Sequence, residues 1–143
     1  MSYSYQGPLE ETAKAKAIRE QVSPKKTMET CRAVRGMNAQ KAIKYLENVK
    51  AKKQAVTYGK HKKQMPHAKG GRPGGYPVKS AEKVKKLIES ALKNAEDEGL
   101  ETNKMKIVHS AAYKSGERPR YAKKRPRKST KLTTIEIILK QTR

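Results

Sequence analysis

The residues best suited to chemistry in this chain form a basic run near its carboxyl end. Residues 118–128 contain seven lysines and arginines, two prolines and no acid. This run cannot be buried, because its charges repel one another and each proline removes a backbone hydrogen-bond donor. It suits the neutralisation of phosphate groups, since cationic side chains that contact a nucleic acid release its condensed counterions.

Strand-like sequences flank the basic run on both sides. Residues 105–113 and 132–140 are rich in alternating apolar and β-branched positions, which predicts a long β-hairpin whose extended part is residues 110–133. The basic run is then held out on a stalk rather than left as a tail. Side chains on a strand alternate between faces, so we expect one face to carry Met105, Ile107, His109, Ala111 and Tyr113 on the first arm and Ile135, Ile137 and Leu139 on the second.

The overall composition indicates a polyanionic partner. The 143 residues suit one domain, carry a net charge of +22 and are only 34% hydrophobic, with neither Trp nor Phe. The core should therefore be small. The excess of cations favours a nucleic acid over an anionic membrane surface, because no amphipathic segment pairs a basic face with a large aromatic one.

The single cysteine and the amino-terminal sequence bear on the compartment. Cys31 leaves no intrachain disulfide possible and is natural in a reducing environment. The amino terminus lacks the apolar segment of a signal peptide, and no stretch has the length of a transmembrane helix. We therefore expect a cytoplasmic protein that works without a membrane.

One strand and three helices are predicted before the hairpin. Residues 1–12 form an irregular arm, in which Tyr3 and Tyr5 either stack on bases or pack on the chain's own surface. Residues 13–22 alternate as a strand, which we place beside the hairpin. Three helices begin after the caps Ser23, Asn38 and Ser80, and the first ends at Gly36. Their apolar stripes are Met28, Cys31 and Val34, then Ala39, Ala42, Ile43, Leu46 and Val49, and then Val84, Leu87, Ile88, Ala91, Leu92 and Ala95.

These elements predict an α+β fold. It consists of a small three-stranded antiparallel sheet packed on three helices, with a long protruding β-hairpin, and the whole chain forms one domain. The only acidic cluster, at Glu96, Asp97, Glu98 and Glu101, follows the third helix and should face solvent away from the polyanion.

A long basic insertion, residues 54–79, separates the second and third helices. Residues 59–77 contain five glycines and three prolines, and residues 48–81 contain nine lysines and arginines without an acid. A loop of this length is either a flexible insertion or functional. We favour contact with a nucleic acid, because glycine lets the backbone approach a phosphate closely.

Neither catalysis nor metal binding is predicted. The possible metal ligands Cys31, His61, His67 and His109 do not have the spacing of a zinc site, and the loop histidines are better placed beside phosphates. Residues 70–75 are glycine-rich but lack the Gly-Lys-Ser/Thr of a nucleotide-binding loop. No nucleophile stands with a base and an orienting acid. We expect no cofactor, no metal and no enzymatic activity.

Two binding hypotheses remain. In the first, the first two helices form a helix-turn-helix that reads DNA, although the second helix is rich in lysine, a point charge better suited to phosphate than to base edges. In the second, the whole surface binds structured RNA through phosphates and shape. The wide distribution of basic residues favours the second, and its candidate contacts in the domain are Lys14, Lys16, Lys25, Lys26, Lys60, His61, Lys62, Lys63, His67, Lys69, Arg72 and Tyr76.

Several motifs resemble one known family. They are VSPKK at residues 22–26, VRGM at 34–37, KAIKYL at 41–46 and the helix at 80–96, together with the basic loop before TIEIIL at 134–139. In this order they resemble the universal large-subunit ribosomal protein twenty-two family over nearly the whole chain. The amino-terminal arm and the basic insertion are similar to the archaeal and eukaryotic branch.

The resemblance implies a structural protein of the large ribosomal subunit. Its partners would be large-subunit ribosomal RNA, neighbouring ribosomal proteins and the nascent polypeptide, with no second copy of the chain. It would bridge RNA domains during assembly. Stalk residues that would neutralise RNA phosphates are Lys114, Arg125, Arg127, Lys128 and Lys131, with Tyr113 and Tyr121 available for stacking. The tip that would line the peptide exit tunnel is Arg118, Pro119, Arg120, Tyr121, Ala122, Lys123 and Lys124.

Overall fold

The computed structural model describes residues 3–8, 10–68, 71–119 and 129–142. Within these residues the elements follow one another as β1 (Thr12–Glu20), α1 (Pro24–Val34), α2 (Ala39–Lys50), β2 (Val56–Thr57), β3 (Gly74–Gly75), α3 (Val78–Asp97), a short 3-10 turn (Thr102–Lys104), β4 (Met105–Pro119) and β5 (Ser129–Gln141).

The main sheet is antiparallel and has the strand order β1-β5-β4. β4 and β5 pair along their whole described length, from Met105 opposite Gln141 to Pro119 opposite Ser129. β1 pairs with the other edge of β5, with Ala13 opposite Leu139. The predicted α+β class, the three-stranded sheet and the long hairpin are confirmed, as is the place of the early strand beside it.

The core lies between one face of this sheet and the helices. Ile135, Ile137 and Leu139 are fully buried there, which confirms their predicted common face. α1 packs against β4, α3 packs against β1, and α2 packs mainly against α3. The three predicted helical stripes lie inward, with Met28, Ile43 and Leu92 only partly buried at the edge of the core.

The predicted face of β4 is wrong beyond Ile107. A β-bulge shifts the register there, so that Ile107 pairs with Leu139 but His109 already pairs with Ile138. The extra residue reverses the alternation. Ser110 and Ala112 therefore face the core and are buried, whereas His109, Ala111 and Tyr113, which were predicted to share a face with Met105 and Ile107, lie on the opposite face of the sheet.

Most predicted helix ends are confirmed. Ser23 and Asn38 are the N-caps of α1 and α2, and the Asn38 side chain accepts a hydrogen bond from the Gln40 amide. Gly36 follows the end of α1 with a φ of 82°, the left-handed conformation that glycine adopts at low cost. The prediction for α3 is wrong by one turn. Its N-cap is Pro77, and Ser80 lies inside the helix, where its hydroxyl accepts a hydrogen bond from Thr27.

The insertion has its own short structure. β2 and β3 pair as a two-stranded antiparallel sheet, with Val56 opposite Gly75, and His67 forms a further bridge with Pro73. Val56 and Tyr58 are buried in the core. The described part of the insertion is therefore attached to the domain rather than structureless. In the described chain, no helix combines the length and the apolar character needed to cross a membrane.

Candidate nucleic-acid interface

The hairpin leaves the domain as a two-stranded stalk. Ala112 is the last buried residue of β4, but the pairing continues to Pro119 opposite Ser129. We call residues 114–119 and 129–132 the stalk; its six residues on β4 extend about 20 Å at 3.3 Å per residue. A second register shift lies between Lys114 and Gly116, where Gly116 adopts a φ of 127°.

The described stalk carries a net positive charge. Lys114, Arg118 and Lys131 are exposed. Glu117, the one acid of the stalk, is held by Lys114 at 2.7 Å and by the Ser129 hydroxyl, and these bonds lower the pKa of its carboxyl group. Glu117 therefore orders one of these cations. Of the predicted hairpin residues, Arg120, Tyr121, Ala122, Lys123, Lys124, Arg125, Arg127 and Lys128 lie outside the described residues.

A buried carboxylate fastens the insertion to α1. Glu29 is only 2% exposed, and its two oxygens accept hydrogen bonds from the consecutive backbone amides of Gly59 (2.9 Å), Lys60 (2.9 Å) and His61 (3.0 Å). Burial raises the pKa of Glu29, but the three amides lower it, and the net pKa lies below the ordinary value. The anion is thus the form that holds the loop.

This anchor places the basic residues of the insertion at the surface. Lys60, Lys62 and Lys63 follow directly on the amides that Glu29 binds, and all three side chains are exposed. His67 and Arg72 are exposed as well, and His61 is half-buried. Lys69 lies outside the described residues. The sequence offered no signal for Glu29, because an acid inside a basic helix reads as an ordinary solvent-facing residue.

The amino-terminal arm crosses the outer face of the main sheet. The Ser4 amide and hydroxyl both donate hydrogen bonds to the Glu136 carboxylate, at 3.1 and 2.7 Å. The Tyr3 ring lies 5.6 Å from the Lys16 ammonium, and the Tyr5 ring lies 5.6 Å from that of His109. Both tyrosines therefore pack on the chain's own surface, the second of the two predicted alternatives.

Lys16, one of the predicted RNA contacts, belongs to the group of polar side chains under the arm. Lys16 forms an ion pair with Glu136 at 2.7 Å, and the Glu136 side chain is only 4% exposed. Burial raises the pKa of Glu136, yet the hydrogen bonds from Lys16 and Ser4 bring its net pKa below the ordinary value. Lys16 thus has an internal structural partner, whereas Lys14 beside it is half-buried without a carboxylate within the described residues.

The acids of the domain neutralise a limited set of lysines. Lys83 pairs with Glu20, and Lys85 pairs with Glu47, each at 2.8 Å. The predicted acidic cluster at the end of α3 is exposed. Because Glu20 ends β1 and the other acids of this set lie on α2, on α3 and in the turn that follows, the insertion, the start of α1 and the stalk retain most of their positive charge. Lys25 and Lys26 in the first turn of α1, two of the predicted RNA contacts, have exposed side chains.

The described residues offer little for catalysis or metal binding. They contain no cluster of three or more possible metal ligands. Cys31 is fully buried, and burial raises the pKa of its thiol to about 11, which leaves it unreactive at neutral pH. His109 is half-buried, and burial and the nearby Arg35 charge lower its pKa.

The first two helices do not resemble a DNA-reading pair. The apolar stripe of α2 is buried mainly against α3, while α1 packs mainly against β4. In a helix-turn-helix the two helices support each other and present the second to the groove. Here each helix instead packs against a different element of the core, so the arrangement of α1 and α2 does not support the helix-turn-helix hypothesis.

Comparison with known proteins gives a consistent result. The profile of the family described as "Ribosomal protein L22p/L17e" matches residues 13–140. The chain is similar to "Large ribosomal subunit protein uL22" of Methanococcoides burtonii, at 36% identity over 100% of this chain and 98% of that protein. The proteins of the same name from Methanopyrus kandleri and Archaeoglobus fulgidus are 39% and 35% identical, over 92% and 96% of this chain and 88% and 94% of theirs.

Proposed function

Because this chain belongs to the ribosomal protein L22p/L17e family, we propose that it is a structural constituent of the cytoplasmic large ribosomal subunit. It binds large-subunit ribosomal RNA, bridges RNA domains during assembly and contributes the tip of its hairpin to the wall of the peptide exit tunnel. It performs no reaction. Its partners are ribosomal RNA, neighbouring large-subunit proteins and the nascent chain.

The stalk is the observation that carries this proposal. A paired hairpin that continues about 20 Å beyond the last buried residue of β4 gains nothing for the stability of the core. Exposed strand edges usually invite aggregation, and an isolated two-stranded ribbon is only marginally stable in water. A partner that surrounds the ribbon accounts for its length, and its cations make that partner a polyanion.

The remaining basic surfaces support binding to more than one RNA segment. The insertion, fixed by Glu29, presents Lys60, Lys62 and Lys63, while the stalk presents Arg118 and Lys131. These surfaces belong to different elements of one rigid core. Lysine and arginine contacts to phosphates position a protein without reading bases, which suits a protein that joins folded RNA helices.

Footprinting tests the choice of nucleic acid. We expect the chain to protect several separated segments of large-subunit ribosomal RNA from chemical modification at physiological salt, and to protect them more strongly than duplex DNA. The variant Lys131→Glu reverses one charge of the stalk. It should weaken the protection of RNA near the stalk and leave the other footprints unchanged. Preferential protection of duplex DNA would refute the ribosomal assignment.

Deletion of the tip tests the tunnel assignment. Removing residues 118–124 should leave the folded domain and its incorporation into large subunits largely unchanged, because the core ends at Ala112. A photo-reactive nascent chain stalled in the particle should crosslink to the complete protein and lose that crosslink in the deletion variant. An unchanged crosslink would show that the tip lies away from the tunnel.

A further inference from the structure

Two basic grooves meet at the side chain of Tyr76. The first, of about 490 Å³, lies between the starts of α1 and α3 and residues 129–131 of the stalk, and we call it the stalk groove. The second, of about 320 Å³, lies on the insertion beside Lys53 and Arg72, and we call it the insertion groove. Tyr76 lines both grooves and is 45% exposed. It is one of the few large apolar side chains that the described surface displays.

Among the described residues, no acid lines either groove. The stalk groove brings together Lys26, Lys79 and Lys131 from three different elements, and none of its described lining residues, nor those of the insertion groove, is an aspartate or glutamate. Lys26 and Lys79 have no carboxylate partner among the described residues, in contrast to Lys83 one turn further along α3, which is held by Glu20. Concave walls of one charge concentrate the field and attract anions.

The backbone holds Tyr76 rigidly between these grooves. Gly75 before it belongs to β3, and Pro77 after it is the buried N-cap of α3. The amide of Val78 donates a hydrogen bond of 2.9 Å to the Tyr76 carbonyl. A tyrosine side chain has only two rotatable bonds before its ring, so on a held backbone it loses little conformational entropy on binding. An exposed ring on such a backbone can stack on a planar group of a ligand.

The alternation of cation, ring and cation matches a single nucleic-acid strand. Proteins that bind single strands track the phosphates with a positive groove and stack the bases on aromatic side chains. A duplex offers no free base face, and small-molecule pockets are lined mainly by apolar side chains. The stalk groove is lined instead mainly by polar side chains, namely three lysines, three serines, Thr130 and Gln21, with Tyr76 and the smaller apolar residues Val22, Pro77 and Val78.

We propose that an unpaired segment of ribosomal RNA runs from the insertion groove across Tyr76 into the stalk groove. One base of this segment stacks on the Tyr76 ring, and the phosphates on either side lie against Arg72 and against Lys79 with Lys26. This inference rests on the proposed function and adds to it a defined, looped RNA element beside residues 129–131 of the stalk.

Variants of Tyr76 test the stacking. The full chain is titrated with ribosomal RNA fragments selected by footprinting. Stacking of one base is worth about 1–3 kcal/mol, so Tyr76→Ala should weaken binding about 5- to 150-fold. Tyr76→Phe keeps the ring and should stay within about twofold of the unsubstituted chain. If Tyr76→Phe weakens binding as much as Tyr76→Ala, the ring does not stack and the proposal is wrong.

Lysine variants test the path of the phosphates. Lys79→Ala should lower the slope of log affinity against log salt by about one contact. Lys86→Ala is the matched control on the same helix, because Lys86 is exposed and lies near Glu82 at 3.7 Å, outside both grooves. Equal effects of the two substitutions would overturn the assigned path.

Two outcomes separate this inference from the function on which it rests. If the unsubstituted chain binds no ribosomal RNA fragment, the proposed function itself fails. If it binds and Tyr76→Ala binds equally well, only the inference fails. A photo-crosslinking amino acid placed at position 76 in assembled subunits should capture an unpaired nucleotide, and capture of a neighbouring protein would overturn the RNA assignment for these grooves.

Discussion

Glu29 provides the sharpest test of how the basic insertion is held. Its Oε1 accepts the amides of Lys60 and His61, and its Oε2 accepts the amide of Gly59. In Glu29→Gln, the side chain amide can still offer one oxygen to two of these donors, but its NH₂ group then faces the third. In Glu29→Ala, all three amides lose their acceptor in a buried position.

The expected losses follow from the number of hydrogen bonds. A hydrogen bond to a charged group contributes about 1.5–3 kcal/mol, and a buried donor left unpaired costs about 1–3 kcal/mol. We therefore expect Glu29→Gln to lower the free energy of unfolding by about 2 kcal/mol and Glu29→Ala by about 4 kcal/mol. The matched control is Glu47→Gln, since Glu47 is an exposed acid whose ion pair with Lys85 is weakened by solvent, so its loss should leave the stability nearly unchanged.

Urea unfolding of the full chain measures the stability, and hydrogen exchange locates the change. The amides of Gly59, Lys60 and His61 should exchange much faster in Glu29→Ala, while those of α3 should change only with global stability. RNA footprints of the insertion should weaken in parallel. If Glu29→Ala were as stable as Glu47→Gln and kept these amides protected, the carboxylate anchor would be wrong.

Three further predictions concern the core, a helix end and pH. Leu87→Ala should lower the free energy of unfolding in urea by about 2–5 kcal/mol. Leu92→Ala should lower it clearly less, because Leu87 is buried and Leu92 only partly so. Equal losses of stability would contradict the observed packing of α3. Gly36→Ala should lower the free energy of unfolding by about 1–2 kcal/mol through the strain of the left-handed backbone alone, because an added Cβ would meet no atom within 4 Å. A variant with a higher melting temperature would refute this prediction. Glu29 and Glu136 both have pKa values below the ordinary 4.5, so their contribution is fully present above pH 4.5 and is lost as the pH falls through the folded pKa values. An acid titration followed by hydrogen exchange should therefore release the insertion and the arm only below pH 4.5, and release at neutral pH would contradict this.

Much of the architecture follows from local patterns. The stripes of α2 and α3 appear in the sequence because helical periodicity puts every third or fourth residue on one face. Asn38 and Gly36 mark their helix ends through chemistry that is complete within a few residues. The wrongly predicted start of α3 shows where local patterns fail. Ser80 lies three residues after the true N-cap, Pro77, and has the composition of a cap. Its hydroxyl instead accepts a tertiary hydrogen bond from Thr27.

The functional surface is predictable in composition but not in arrangement. An acid-free basic stretch already marks the insertion as a binding segment, and it includes Lys79, which the candidate residues omitted. That Lys26, Lys79 and Lys131 share one groove is invisible in the sequence, because each pair of them lies more than fifty residues apart and the three belong to separate elements.

The sequence by itself determined the kind of partner, the three helices, the caps of α1 and α2 and the hairpin around the basic run, because charge, periodicity and turn chemistry are local properties. The tertiary structure alone decided the bulge after Ile107, the burial of Glu29 under the insertion, the hydrogen bonds from Ser4 to Glu136 and the position of Tyr76 between two grooves. Each of these depends on a contact between distant segments. A single inserted residue in a strand, or a single carboxylate turned inward, changes which side chains face the core and which face the partner.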